Sequence, residues 1–255
     1  MDDFLKYAET FIDNFQNQII GASKENIIIY DKMINERIGL RLPDEYLEFL
    51  TVMGCSTLPL KLTSDDYEDT DLREIITYYK DEPIPKNCIP ISACGDSLDL
   101  GMEFYIKGEE PRIVKHDYGE INTVESDSFI KFLHRRVFIQ FVTPVKNRRL
   151  YKSIKFHYTK PIVERKITEL GFKKEWFSDS IYYCGKMDDG IGVAIYQNYK
   201  KGTSAEVILM YKKPNYSTLA KIEKELFEID ICPTGEPLSS SVVDYNTKLR
   251  KLKEG

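Results

Sequence analysis

Residues 89–104, IPISACGDSLDLGMEF, hold two apolar runs joined by Gly95-Asp96. The first run, 89–93, predicts a strand. The second, 98–105, predicts another that leaves in a new direction. A corner between two strands needs backbone that β-branched residues resist, and glycine supplies it. Asp96 at such a corner is read as fixing the turn on its own backbone rather than moving protons. Two strands meeting at a sharp corner set the expectation of a mostly antiparallel sheet.

Upstream of this stretch the pattern is helical. Phe4, Ala8, Phe11, Phe15 and Ile19 share one helical face, and Gly21 would end that helix. Ser23 can cap a second helix carrying Ile27, Tyr30, Ile34 and Ile38, with Gly39 at its end. In LPDEYLEFL, residues 42–50, Pro43 at the first helical position and the acids after it mark a third helix, stopped by Gly54. Residues 57–62 read as a strand. Residues 64–81 are acidic, and their later part, 72–79, reads as a short helix. Downstream, strands are expected at 112–116 and 121–124, then a helix from Ser128 with Phe129, Phe132 and Leu133 inward. Helices, a meander and a closing helix make an α+β domain over residues 1–143.

Residues 144–155 are basic and poor in apolar side chains, which reads as a linker. A smaller α+β domain, residues 156–255, follows. It has a helix at 162–170 opened by Pro161, and strands at 181–187, 192–199 and 206–211. Asp188-Asp189-Gly190 makes a hairpin turn, and a last helix covers 218–227. The charge divides along the same line. Residues 1–143 hold 15 basic and 27 acidic residues, a net −12; the remainder holds 21 and 14, a net +7. Such asymmetry points to two modules with different surfaces.

Chemistry-bearing motifs are sparse. Cys55, Cys88, Cys94, Cys184 and Cys232 form no CxxC pair and read as small buried hydrophobes. His116, His134 and His157 are too scattered to form a spaced metal-ligand motif. No glycine-rich phosphate loop and no nucleophile elbow occurs, so no cofactor is expected. His116-Asp117 could imitate an acid/base pair, but strand neighbours point to opposite faces. The linker cations Lys146, Arg148, Arg149, Lys152 and Lys155 surround Tyr151, a pattern that can hold nucleic acid. The acidic first half would repel such a polyanion, so a solvated linker is the reading. The start, MDDFLKYAETF, has no basic or apolar leader region, and no run is long enough for a membrane span; a cytoplasmic protein is expected. The acids Asp65, Asp66, Glu68, Asp69, Asp71 and Glu74 would attract and steer a basic protein partner.

Three pieces in order carry a resemblance: LPDEYLEFL with Gly54, the IPISACGDS corner, and PRIVKHDYGE leading to DSFIKFL. Together they resemble the SUKH superfamily, which includes the yeast Smi/Knr cell-wall regulators and many bacterial immunity proteins. Leu42, Pro43 and Tyr46 match its helix opening, and Gly95-Asp96-Ser97 its central turn. Residues 114–120 are similar to its next strand and loop, and Ser128, Phe129, Phe132 and Leu133 to its final helix. The resemblance covers about residues 27–133. It departs at Met53-Gly54-Cys55, where the family often has Asn-Gly-Gly, and it extends neither to the acidic segment nor to the second half. It implies a non-catalytic immunity protein that binds and neutralises a cognate toxin, such as a nuclease or deaminase. The alternative is a scaffold or regulatory module with a non-toxin partner.

Overall fold

A computed structural model describes residues 1–62, 70–93, 98–105, 110–142, 148–153, 160–197, 205–211 and 215–234. The protein is α+β, with two antiparallel sheets, and divides into two compact units, Met1–Phe138 and Ile139–Gly255. The division falls between Phe138 and Ile139, where composition pointed to residue 143.

In the first unit, helices α1 (Asp2–Glu9), α2 (Lys24–Ile38), α3 (Asp44–Met53) and α4 (Leu72–Tyr78) precede a sheet. Its strands β1 (Cys88–Pro90), β2 (Asp99–Glu103), β3 (Arg112–Asp117) and β4 (Glu120–Ser126) lie side by side in that order, and α5 (Phe129–Val137) closes the unit. Local chemistry explains most of the boundaries. The Ser23 side chain accepts from the Asn26 N–H at 3.2 Å, and Gly39 leaves α2 at φ 71°. Ser128 occupies the N-cap of α5. Pro43 is the N-cap of α3, one position earlier than its spacing suggests. Gly54 ends α3 at φ −72°, so its role is space: a Cβ there would meet the Leu50 carbonyl oxygen at 2.4 Å and the Ala22 Cβ at 2.8 Å.

The strands and helices share a core. Leu42, Tyr46, Phe49 and Leu50 are buried, and the Phe129 ring meets those of Tyr46 and Phe49 edge-on. Fully burying a side chain such as Leu50 contributes about 2 kcal/mol. Tyr30 of α2 and Tyr46 of α3 both donate to the Pro90 carbonyl, Tyr46 at 3.4 Å, which ties two helices to the end of β1. Beyond Pro90, the Ile91 N–H donates to the Leu100 carbonyl at 2.8 Å, and the Ser92 hydroxyl accepts from the Leu100 N–H at 2.8 Å. Gly95 and Asp96, the expected corner, lie outside the described residues.

Two expectations fail here. The single helix across residues 4–19 breaks after Glu9, and Phe15–Asn17 forms a separate 3₁₀ turn behind Asn14 at φ 54°. The left-handed conformation at Asn14 cannot be part of an α-helix. Phe4, Ala8, Ile12 and Phe15 are nevertheless all buried, so the apolar pattern reports burial although the helix ends. Residues 57–60 form a turn instead of a strand. The Thr57 hydroxyl donates to the Leu60 carbonyl at 2.8 Å, and the Leu58–Pro59 peptide is cis. Pro59 has no N–H to offer a strand ladder.

In the second unit six strands lie in the order β10, β5, β9, β8, β7, β6. They are β5 (Arg148–Ser153), β6 (Lys173–Lys174), β7 (Tyr182–Lys186), β8 (Gly192–Tyr196), β9 (Glu206–Met210) and β10 (Ile231–Pro233). Helices α6 (Lys160–Glu169) and α7 (Tyr216–Phe227) contribute Val163, Ile167, Leu219, Ile222 and Leu226 to one core with Tyr151, Tyr183, Val193, Val207 and Leu209. Composition reads residues 144–155 as a linker, but Arg148–Ser153 is a strand paired on both sides, to β9 and to β10. Its cation Arg149 is matched inside the unit: its guanidinium donates to the Glu223 carboxylate at 3.0 Å.

Candidate functional site

Along β2 the residues Asp99, Gly101 and Glu103 alternate with Leu100 and Met102, so the two sets point to opposite faces. Antiparallel pairing with β3 sets Asp99 opposite His116, Gly101 opposite Val114, and Glu103 opposite Arg112. Glu103 and Arg112 form an ion pair at 2.5 Å. Across from Asp99 stands His116. The Asp99 Oδ2 accepts a 2.5 Å hydrogen bond from the hydroxyl of Tyr79, the residue that ends α4. Arg37 of α2 holds that chain end in place, donating to the carbonyls of Tyr79 and of Glu82, the latter at 2.9 Å.

Gly101 makes the arrangement possible. A Cβ there would lie 2.4 Å from the Cys88 sulfur and 3.1 Å from the His116 ring, so the missing side chain is the space they occupy. His116 is 1% exposed and Asp99 5% exposed. The His116 Nε2 has no hydrogen-bond partner. On the open side, the β3–β4 hairpin turns through Tyr118 at φ 44° and Gly119 at φ 81°. The result is a small pocket of about 10 Å³, partly open to solvent. Asp99 and His116 form its floor, and Tyr78, Tyr79, Glu82, Pro83 and Tyr118 line the rest.

Burial and acidity set the chemistry of this pocket. Burial pushes the His116 imidazole down to about 4, against the opposing pull of a backbone hydrogen bond at Leu100, so the ring is neutral at pH 7. Burial and then the Asp99 carboxylate drive the Tyr79 phenol far up. Burial also raises the Tyr78 phenol, followed by Asp99, Glu82, Tyr118 and Asp117. The Cys88 thiol is raised by burial and then by Glu103, which leaves it un-ionised and weakly nucleophilic. Acceptors and aromatic faces predominate, an arrangement suited to binding.

Of the expected binding acids, the described pair Asp71 and Glu74 does not line this pocket. Asp71 caps α4: its Oδ1 accepts from the Arg73 N–H at 2.9 Å, and the Arg73 guanidinium pairs with its carboxylate. The hydrogen bonds from the Arg73 guanidinium, more than any other influence, hold the Asp71 carboxyl below the usual range. Glu74 is exposed in the first turn of the same helix. Asp65, Asp66, Glu68 and Asp69 lie outside the described residues. Leu42 and Tyr46 are core residues, while Pro43 and Gly54 bound a helix. His116 and Asp117 diverge as alternation requires, one buried and the other exposed. Sequence reasoning reached His116 but missed Asp99 and Tyr79. The signal that could have found Asp99 is its place, with Gly101 and Glu103, in an alternating strand.

Among the described residues no group of three or more His, Cys, Asp or Glu side chains is placed to hold a metal ion. No described helix is long and apolar enough to cross a membrane. No curated protein and no solved structure matches the chain significantly. A family described as SMI1-KNR4 cell-wall, SUKH_5, matches residues 1–139, which takes in every element of the first unit. With more than half of its 255 residues matched, the chain belongs to that SUKH family.

Proposed function

We propose that the protein is a non-catalytic immunity protein that binds a cognate bacterial toxin through its SUKH domain and neutralises it. The observation that carries this reading is the family match over residues 1–139 on a region with 12 more acids than bases. Toxins that act on nucleic acid present basic surfaces, and a carboxylate-rich partner can occupy them. Burial, which keeps the Cys88 thiol un-ionised and the His116 imidazole weakly basic, also supports a binding role. Titration calorimetry of the full chain against the toxin encoded beside it tests the reading. Tight, salt-sensitive binding that abolishes toxin activity is expected; no binding to any neighbouring toxin overturns it.

The family's cell-wall description favours a second reading, a scaffold or regulatory module with a non-toxin partner. Co-purification from the native host separates the two: a toxin domain recovered with the chain supports the first, and a regulatory protein supports the second.

A further inference from the structure

Four non-glycine residues have positive φ among the described residues: Asn14, Asn87, Tyr118 and Asp230. Three are Asn or Asp, the side chains that tolerate this conformation. Tyr118 is the exception. A two-residue hairpin turn with both φ angles positive favours Asn-Gly or Asp-Gly, and here a tyrosine precedes Gly119. No core packing repays that choice, because Tyr118 is 74% exposed. Strained residues of this kind concentrate at functional sites. This one stands on the rim of the pocket floored by Asp99 and His116.

The groups around that rim agree in sign. Asp99 comes from β2, Asp117 from the end of β3, and Glu82 from the chain after α4, and all three raise the Tyr78 phenol. The Arg37 guanidinium is engaged by the Tyr79 and Glu82 backbone carbonyls. His116 adds a buried, neutral Nε2 without a partner. The space, about 10 Å³, admits one group the size of a water molecule and no larger ligand, so it suits the end of one side chain.

We propose that this pocket receives the ammonium head of a lysine side chain presented by a protein partner. An ammonium carries three donors and no acceptor. Asp99, Glu82 and the His116 Nε2 are three acceptor groups, and Tyr78 and Tyr118, whose aromatic rings can attract a cation, line the same pocket. The proposal rests on the protein-binding reading above and names the partner group that the pocket takes.

The test is NMR titration of the full chain with n-butylammonium at pH 7, against sodium chloride at equal ionic strength. A saturable shift of the His116 ring and Tyr118 signals is expected with the amine and not with sodium. Glu82→Gln should weaken it about tenfold, the loss of one hydrogen bond to a charged group. Tyr118→Asn suits the turn better, so it should fold at least as stably while weakening amine binding. Identical responses to amine and sodium, or a response unchanged in both variants, overturn the proposal. A captured partner that binds wild type and Tyr118→Asn equally also overturns it, and leaves the immunity reading standing.

Discussion

Arg149 and Glu223 meet at 3.0 Å inside the second unit, with the Glu223 carboxylate fully buried. Tyr151, two residues along β5 and so on the same face, also donates to that carboxylate, at 3.3 Å, and its hydroxyl lies 3.1 Å from the Arg149 Nε. The three side chains lock β5 onto α7. A stretch that composition reads as a solvated basic linker is in this way a strand in the middle of a sheet.

Removing the carboxylate should therefore unfold the second unit first. Glu223→Ala leaves Arg149 partly buried without its countercharge, a loss of about 3 kcal/mol. Arg149→Met with Glu223→Leu should recover most of it, because an apolar pair needs no desolvated partner. Urea unfolding of both variants, followed by hydrogen exchange at β5 amides, measures this. Equal stability of Glu223→Ala and wild type would show that water already satisfies Arg149.

Gly101 is predicted to be intolerant of a side chain for a reason that can be relieved. Gly101→Ala drives a methyl to 2.4 Å from the Cys88 sulfur and should cost about 1–3 kcal/mol by overpacking. Adding Cys88→Ala removes that sulfur and should return part of the loss. Thermal melts of the single and double variants decide it: no recovery in the double variant would place the strain in the His116 ring, 3.1 Å away on the other side.

His116 should make the first unit sensitive to acid. Its pKa falls from 6.5 to about 4 on folding, so between those values the unfolded chain binds more protons than the folded one. The neutral ring's contribution is complete above about pH 6.5 and is lost as pH falls through about 4, to a total of about 3 kcal/mol. His134, also lowered by burial, adds in the same direction. His116→Phe should flatten the slope of stability against pH in that window without abolishing it. An unchanged slope would assign the whole effect to His134 and the carboxylates.

Asp71 and Glu74 belong to one acidic segment and should behave differently. Asp71→Ala removes a helix cap and should cost about 1 kcal/mol of stability. Glu74→Lys changes an exposed position and should leave stability within about 0.5 kcal/mol. If the acidic segment steers a basic partner, Glu74→Lys should slow association and reduce its dependence on salt. Stopped-flow rates at two ionic strengths, read beside unfolding midpoints, separate the two roles.

Local chemistry was legible in the residues alone. The Ser23 and Gly39 caps, the alternation of β2 and the Asp188-Asp189-Gly190 turn all act within a few residues, so spacing reveals them. The ordered pieces around LPDEYLEFL, IPISACGDS and PRIVKHDYGE likewise sufficed to point to the SUKH family, which matches residues 1–139.

What the tertiary structure decided depends on partners far away in sequence. Tyr79 reaches Asp99 across 20 residues, and Arg149 reaches Glu223 across 74. Neither pair leaves a periodicity. A cation destined for a buried carboxylate is spelled the same as one destined for water, and only the register of β5 against β9 and β10 separates the two. The pocket has the same origin: Asp99 and His116 become neighbours because β2 and β3 pair in one register, and a slip of one residue would put the two on opposite faces.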